Sequence, residues 1–267
     1  MANYDGTSGN DPLFPFLPPL GPLFNDGQND SLRGFGGDDR LGGKDGRDTL
    51  RGGTGNDTLD GDDGNDSLDG GDGLDVLHGG LGRDTLLVND DSIQPVANRD
   101  FTDLYQGGEG DDLYLVTGLD TRWRIDEKED QGSDTVRSAS SIDLGGPNFF
   151  PENPPLVQLR GGGNVETLIL TGTANLFGVG NSLNNRIEGN TGNNVLIGSS
   201  GSDTLFGLEG NDTLVAGFAF HLAEPRSGDN DAVDRLLGGV GDDMYVLSDG
   251  SDQCKPPDET ACLFGRP

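Results

Sequence analysis

Large apolar side chains are scarce in this chain of 267 residues. Hydrophobic residues make up 31% and aromatic ones 6%, with a single tryptophan. That excludes a large globular core and favours an architecture whose core is one residue deep per layer. Bases are also few, with 17 Lys and Arg against 47 Asp and Glu, a formal net charge of −30. Nucleic acid is therefore excluded as a partner, because its phosphates would be repelled. No apolar run approaches the roughly 20 residues of a membrane span. Histidine is limited to His78 and His221, neither set in a motif. His-Glu-x-x-His and Gly-x-Ser-x-Gly are both missing, so no zinc-protease or hydrolase centre is expected and the chain is read as non-enzymatic. Residues 1–11 carry no basic group, and Pro15, Pro18, Pro19 and Pro22 break the apolar run from Leu13 to Phe24. No N-terminal secretion signal is read there. The two cysteines, Cys254 and Cys262, lie close together. They suit a small disulfide loop adding roughly 2–3 kcal/mol in an oxidising compartment, with a two-thiol metal site as the alternative.

What is abundant is glycine and aspartate, in strict order. Residues 25 to 87 are seven uninterrupted copies of one nine-residue phrase, clearest in Gly52-Gly53-Thr54-Gly55-Asn56-Asp57-Thr58-Leu59-Asp60. The sixth position is always aspartate: Asp30, Asp39, Asp48, Asp57, Asp66, Asp75 and Asp84. The eighth is always leucine, from Leu32 to Leu86, and glycine dominates positions one, two and four. A leucine every nine residues fits neither a helix nor a long alternating strand. It fits a chain that turns for about six residues and extends for three, with glycines supplying backbone angles that side chains forbid. Two such half-turns make a coil of 18 residues, so alternate copies stack about 4.8 Å apart. Sixth-position carboxylates 18 residues apart then become vertical neighbours that repel by about 3 kcal/mol at an effective dielectric of 20. A divalent cation between them removes that repulsion. The alternative, a disordered glycine-rich linker, does not keep a strict period and a strict leucine.

The phrase matches the calcium-binding nonapeptide consensus, and the chain resembles the repeats-in-toxin (RTX, haemolysin-type) family. The resemblance implies an all-β fold, a parallel β-roll or β-helix solenoid with calcium between stacked glycine-rich turns. It also implies that backbone carbonyls of the turns join the aspartates as ligands. The glycines concerned are Gly43, Gly46, Gly52, Gly53, Gly55, Gly61, Gly64, Gly70, Gly71, Gly73, Gly79, Gly80 and Gly82. Relatives commonly leave bacteria by type I secretion, so an extracellular location is implied.

The chain is expected to divide into a first calcium block (1–115, inserts 15–24 and 88–97), metal-free connector rungs (116–179), a second calcium block (180–250, insert 216–228) and a tail (251–267). An earlier copy carries Asp11, and later ones carry Asp103 and Asp112. The insert 15–24 suits a cap on the first rung, or a sticky patch for a partner. The connector alternatively forms a small separate domain. In the second block the sixth positions are Asn185, Asn194, Asp203, Asp212, Asp234 and Asp243. The asparagines keep a ligand oxygen but lose charge, so weaker sites are expected there. Both blocks end on a Gly-Asp-Asp-x-Tyr closer, at Tyr114 and Tyr245, which suggests an internal duplication.

Up to twelve pairs arise from this register. Twelve calcium ions would cut the charge of −30 to −6, so folding and metal binding should be one equilibrium. The leading reading is a secreted calcium-binding scaffold that folds on meeting extracellular calcium. The alternatives are a calcium-dependent adhesin, whose apolar inserts (Phe149-Phe150, Phe218-Ala219-Phe220) meet a cell-surface or polymer partner, and a remote polysaccharide-acting enzyme. The charge opposes a polyanionic substrate.

Overall fold

The computed structural model describes residues 3–5, 12–13, 28–88, 103–117, 123–128, 132–145, 157–158, 164–217, 233–247, 252–254 and 263–264, and structural statements refer to these. Asp11, most of the inserts, Phe149-Phe150, Phe218-Ala219-Phe220, His221 and Cys262 lie outside them, as does the Cys254 side chain. The protein divides into two compact units, Met1–Asp134 and Thr135–Pro267.

In the first unit the long strands begin near the seventh position of a copy and run into the glycines of the next; the short Asp45–Gly46 lies within a turn and pairs with Thr58–Gly64. Asn3–Asp5, Ser31–Gly36, Thr49–Thr54, Ser67–Asp72, Thr85–Val88 and Leu113–Val116 form one parallel face. Pro12–Leu13, Arg40–Gly42, Thr58–Gly64, Val76–Leu81, Asp103–Glu109 and Trp123–Ile125 form the other. Consecutive strands in sequence thus alternate between faces, as a coil of two half-turns requires. The fold is an all-β parallel roll.

The register confirms the 18-residue period. Leu32, Leu50, Leu68, Leu86 and Tyr114 align on one face. Leu41, Leu59, Leu77 and Tyr105 align on the other. All seven repeat leucines have no exposed surface, so each rung buries one leucine per face. Full burial of such a side chain contributes about 1.5–3 kcal/mol. The rungs either side of the second insert pair as if it were absent, with Leu77 opposite Tyr105. Val88, read as the first residue of that insert, is the buried last residue of its strand.

The second unit repeats the plan. Thr135–Ser138, Thr167–Leu170, Arg186–Glu188, Thr204–Glu209, Arg235–Val240 and Gln253–Cys254 stack on one face. Val157–Gln158, Ile142–Asp143, Phe177–Val179, Val195–Ile197, Thr213–Val215, Met244–Leu247 and Leu263–Phe264 stack on the other. On this second face the ninth position is apolar as well. Val179, Ile197 and Val215 form a buried column on the side of the strand away from the inner leucines. The nonapeptide rule alone did not anticipate this column.

A leucine in the inner ladder has no alternative packing. Leu59→Ala should therefore cost about 2–5 kcal/mol in equilibrium unfolding of the calcium-loaded protein. Val240→Ala, at a side chain 71% exposed, should stay within about 0.5 kcal/mol.

Candidate metal centre

The sixth-position aspartates lie in vertical ladders and, apart from the half-buried Asp103, are buried. Each carboxylate is held in the same way. The backbone N–H of Asp30 donates to Oδ1 of Asp48 at 2.7 Å, that of Asp48 to Asp66, and that of Asp66 to Asp84. On the other side Asp39 donates to Asp57, Asp57 to Asp75 and Asp75 to Asp103. Asp84 donates to Asp112 across the second insert. In the second unit Asn185 donates to Asp203, Asn194 to Asp212, Asp203 to Asp234 and Asp212 to Asp243. Eleven of the twelve expected pairs are thus neighbours, and the twelfth involves Asp11, outside the described residues. In each pair one carboxylate oxygen accepts the neighbouring backbone N–H.

The second oxygen defines the centre. Oδ2 of Asp57, Asp66, Asp84, Asp112, Asp212 and Asp243 is buried and accepts no hydrogen bond among the described residues. It points into the glycine turn of its own copy. A Cβ built on Gly43 would lie 2.5 Å from Asp48 Oδ2 and 2.8 Å from the carbonyl oxygen of Gly61, one coil above. Gly52, Gly61 and Gly79 face the same pair of oxygens in their own turns. The first-position glycine is thus required by space. The fourth position is required by conformation: Gly46, Gly55, Gly64, Gly73 and Gly82 all have positive φ, and each would meet the carbonyl oxygen of the fourth residue one coil below. The second position needs positive φ even without glycine, at Phe35, Lys44, Asp62, Ser199 and Leu208. Such residues carry strain of order 1–2 kcal/mol each.

The turns thus gather carbonyl and carboxylate oxygens and offer them no donor. Burial is the main cause that pushes the carboxyl of Asp66 and Asp84 up to about 7, and that of Asp57, Asp112 and Asp212 up to about 6, against the pull of their backbone N–H bonds. Neighbouring aspartates add to the rise. Among the described residues no three His, Cys, Asp or Glu side chains converge. The donor set is one carboxylate with several carbonyls, all hard oxygen, which suits calcium and not a thiolate- or imidazole-seeking metal.

Residues 26–50, 51–86 and 179–214 match the family model of the RTX calcium-binding nonapeptide repeat (four copies). These stretches are RTX repeats. No curated protein matches the chain. The RTX assignment makes this a calcium-binding β-roll protein, and the oxygen-lined turns are where its geometry fits the ion.

Several residues escaped the repeat pattern. Asp134 and Asp252 extend the ladders, taking N–H bonds from Asp112 and Asp234 at 3.0 and 3.3 Å. Both stand two residues before an eighth-position residue, Val136 or Cys254, which is the signal that could have found them. Fifth-position side chains form a second, exposed ladder: Asn29, Asp38, Asn56 and Asn65 each accept the N–H one coil above. The closers also gain a role. Tyr114 and Tyr245 accept the N–H of Gly107 and Gly238 through their hydroxyls, and Tyr114 donates to Glu127. Asn185 and Asn194 differ from the aspartates. Their oxygens accept the N–H of Asn181 and Asn190 at 2.7 and 2.8 Å, so they do not lie open as ligands.

The raised carboxyls set a pH dependence for the calcium-free RTX fold. Their folded pKa values of about 6 to 7 exceed the ordinary 3.8, so the folded state binds protons that the unfolded chain releases. This stabilisation is complete below about pH 4 and disappears as pH rises through 6 to 7. In calcium-free buffer the β-sheet ellipticity should be greater at pH 5 than at pH 8; the reverse order would contradict the burial of these groups.

Proposed function

We propose that the protein is a secreted, non-enzymatic scaffold whose aspartate turns stay unfolded where calcium is scarce and fold on meeting it outside the cell. One observation carries the reading: the buried Oδ2 atoms stand among carbonyl oxygens with no hydrogen-bond donor. Several negative groups buried without a counter-charge do not make a stable fold. Calcium supplies the missing charge and accepts six to eight oxygens at 2.3–2.6 Å.

The ligands would be the carboxylates of Asp30, Asp39, Asp48, Asp57, Asp66, Asp75, Asp84, Asp103 and Asp112 in the first unit. Asp203, Asp212, Asp234 and Asp243 would serve in the second. Carbonyls of the turn glycines, such as Gly52, Gly53 and Gly55, complete the shell. Because the ligands come from stacked copies, filling one site orders the turn that begins the next. Binding should therefore be cooperative, and an extracellular module of this kind binds at about 10⁻⁴–10⁻³ M.

Calcium titrated into the calcium-free protein should give a steep, cooperative gain of β-sheet ellipticity, with calorimetry counting the ions. Asp66→Asn should remove one or two of them and broaden the transition. A circular dichroism spectrum unchanged by calcium across the range would end the proposal.

A further inference from the structure

The turns of the second unit between residues 164 and 200 are built differently from the aspartate turns. Their buried oxygens have donors. Asn185 donates from its amide to the carbonyls of Val165 and Glu166 at 3.0 and 3.3 Å, and Asn181 donates to Val165 at 2.7 Å. Asn190 donates to the carbonyls of Thr171 and Ala174, both at 3.0 Å. Asn194 donates to Asn190 Oδ1 at 3.0 Å, and the Ser199 hydroxyl donates to the carbonyl of Gly180 at 3.1 Å.

The acceptor side is equally occupied. Oδ1 of Asn181 and of Asn190 accepts the N–H of Leu183 and Gly192. The oxygens of Asn185 and Asn194 occupy the place beside Gly180 and Gly189 that Oδ2 takes in the aspartate copies, but they accept an N–H there. No asparagine of this stretch leaves a buried polar atom without a partner. The contrast lies in the second position. From 43 to 87 the first, second and fourth positions hold only glycine apart from Lys44 and Asp62, an exposed pair 3.6 Å apart. Here Asn181, Asn190 and Ser199 bring a donor into the turn. Charge agrees: between 164 and 200 the acids are Glu166 and Glu188 and the base is Arg186.

We infer that residues 164–200 form a calcium-independent nucleus, in which asparagine amides and a serine hydroxyl do the work of the ion, and from which the calcium turns at Asp203, Asp212, Asp234 and Asp243 are built up. The inference rests on the calcium reading of the aspartate turns. A stacked-repeat fold propagates readily but nucleates with difficulty, so one rung set that needs no ligand lowers the barrier for the rest. The core of the nucleus is apolar and complete, with Leu168, Ile187 and Leu196 fully buried.

The test is hydrogen exchange read by mass spectrometry on the full chain, with and without calcium. Peptides from 164–200 should exchange at least about 100-fold more slowly than an unfolded chain in calcium-free buffer, while peptides from 28–88 gain such protection only with calcium. Free exchange of 164–200 without calcium overturns the nucleus. Protection of 28–88 without calcium overturns the calcium reading instead, so the two failures are distinct. The double substitution Asn185→Asp with Asn194→Asp should cut the calcium-free protection of 164–200 by about tenfold or more and let calcium restore it. Unchanged protection in that variant would show that the amides do not hold these turns.

Discussion

Oxygen atoms brought together without donors are the constraint from which the rest of this protein follows. A parallel roll must carry its backbone through a tight turn twice per coil. Stacking the turns aligns carbonyl after carbonyl, and the repeat adds a buried carboxylate to each. Two remedies exist: bring in a cation, or bring in hydrogen-bond donors. From 43 to 87 the aspartate copies carry at positions one, two and four only glycine apart from the exposed Lys44 and Asp62, and their charge favours a cation. The asparagine copies around Asn185 and Asn194 carry donors.

The glycine pattern follows from the same crowding. At the first position a Cβ would occupy the space of the aspartate Oδ2 and a carbonyl from the next coil. At the fourth, positive φ and the carbonyl below combine against any side chain. At the second, positive φ and the carbonyl of the second residue one coil below crowd a Cβ in the same way, as at Gly53 and Gly80, yet Phe35, Lys44, Asp62, Ser199 and Leu208 stand there with positive φ. Donors enter there at Asn181, Asn190 and Ser199, as they do at the sixth position through Asn185 and Asn194.

The aspartate does two jobs with one side chain. Oδ1 ties each copy to the backbone of its neighbour on the same side, as between Asp30 and Asp48, while the N–H after the upper aspartate returns a bond to the lower carbonyl, as from Thr49 to Asp30. Oδ2 is left for the ion. Asn185 and Asn194 keep only half of this arrangement: their backbone N–H groups still donate to Asp203 and Asp212, while their side-chain oxygens accept from Asn181 and Asn190 within their own turns.

The coil, its 18-residue period, the inward leucines and the aspartate ladders were legible in the sequence because each depends on spacing along one chain. Position eight must face inward once the chain turns twice in 18 residues, and position six must then stack. Asp134 and Asp252 were missed because their copies retain few of the glycines, while the register that places them depends on strand pairing. The buried column of Val179, Ile197 and Val215 was written in the sequence as apolar pairs at positions eight and nine, but a one-sided rule for the strand passed over it. Only tertiary structure decided which oxygen of each carboxylate is committed and where the asparagine amides point. Both depend on atoms from the adjacent coils, a few ångströms away in space and 16 to 31 residues away in the chain.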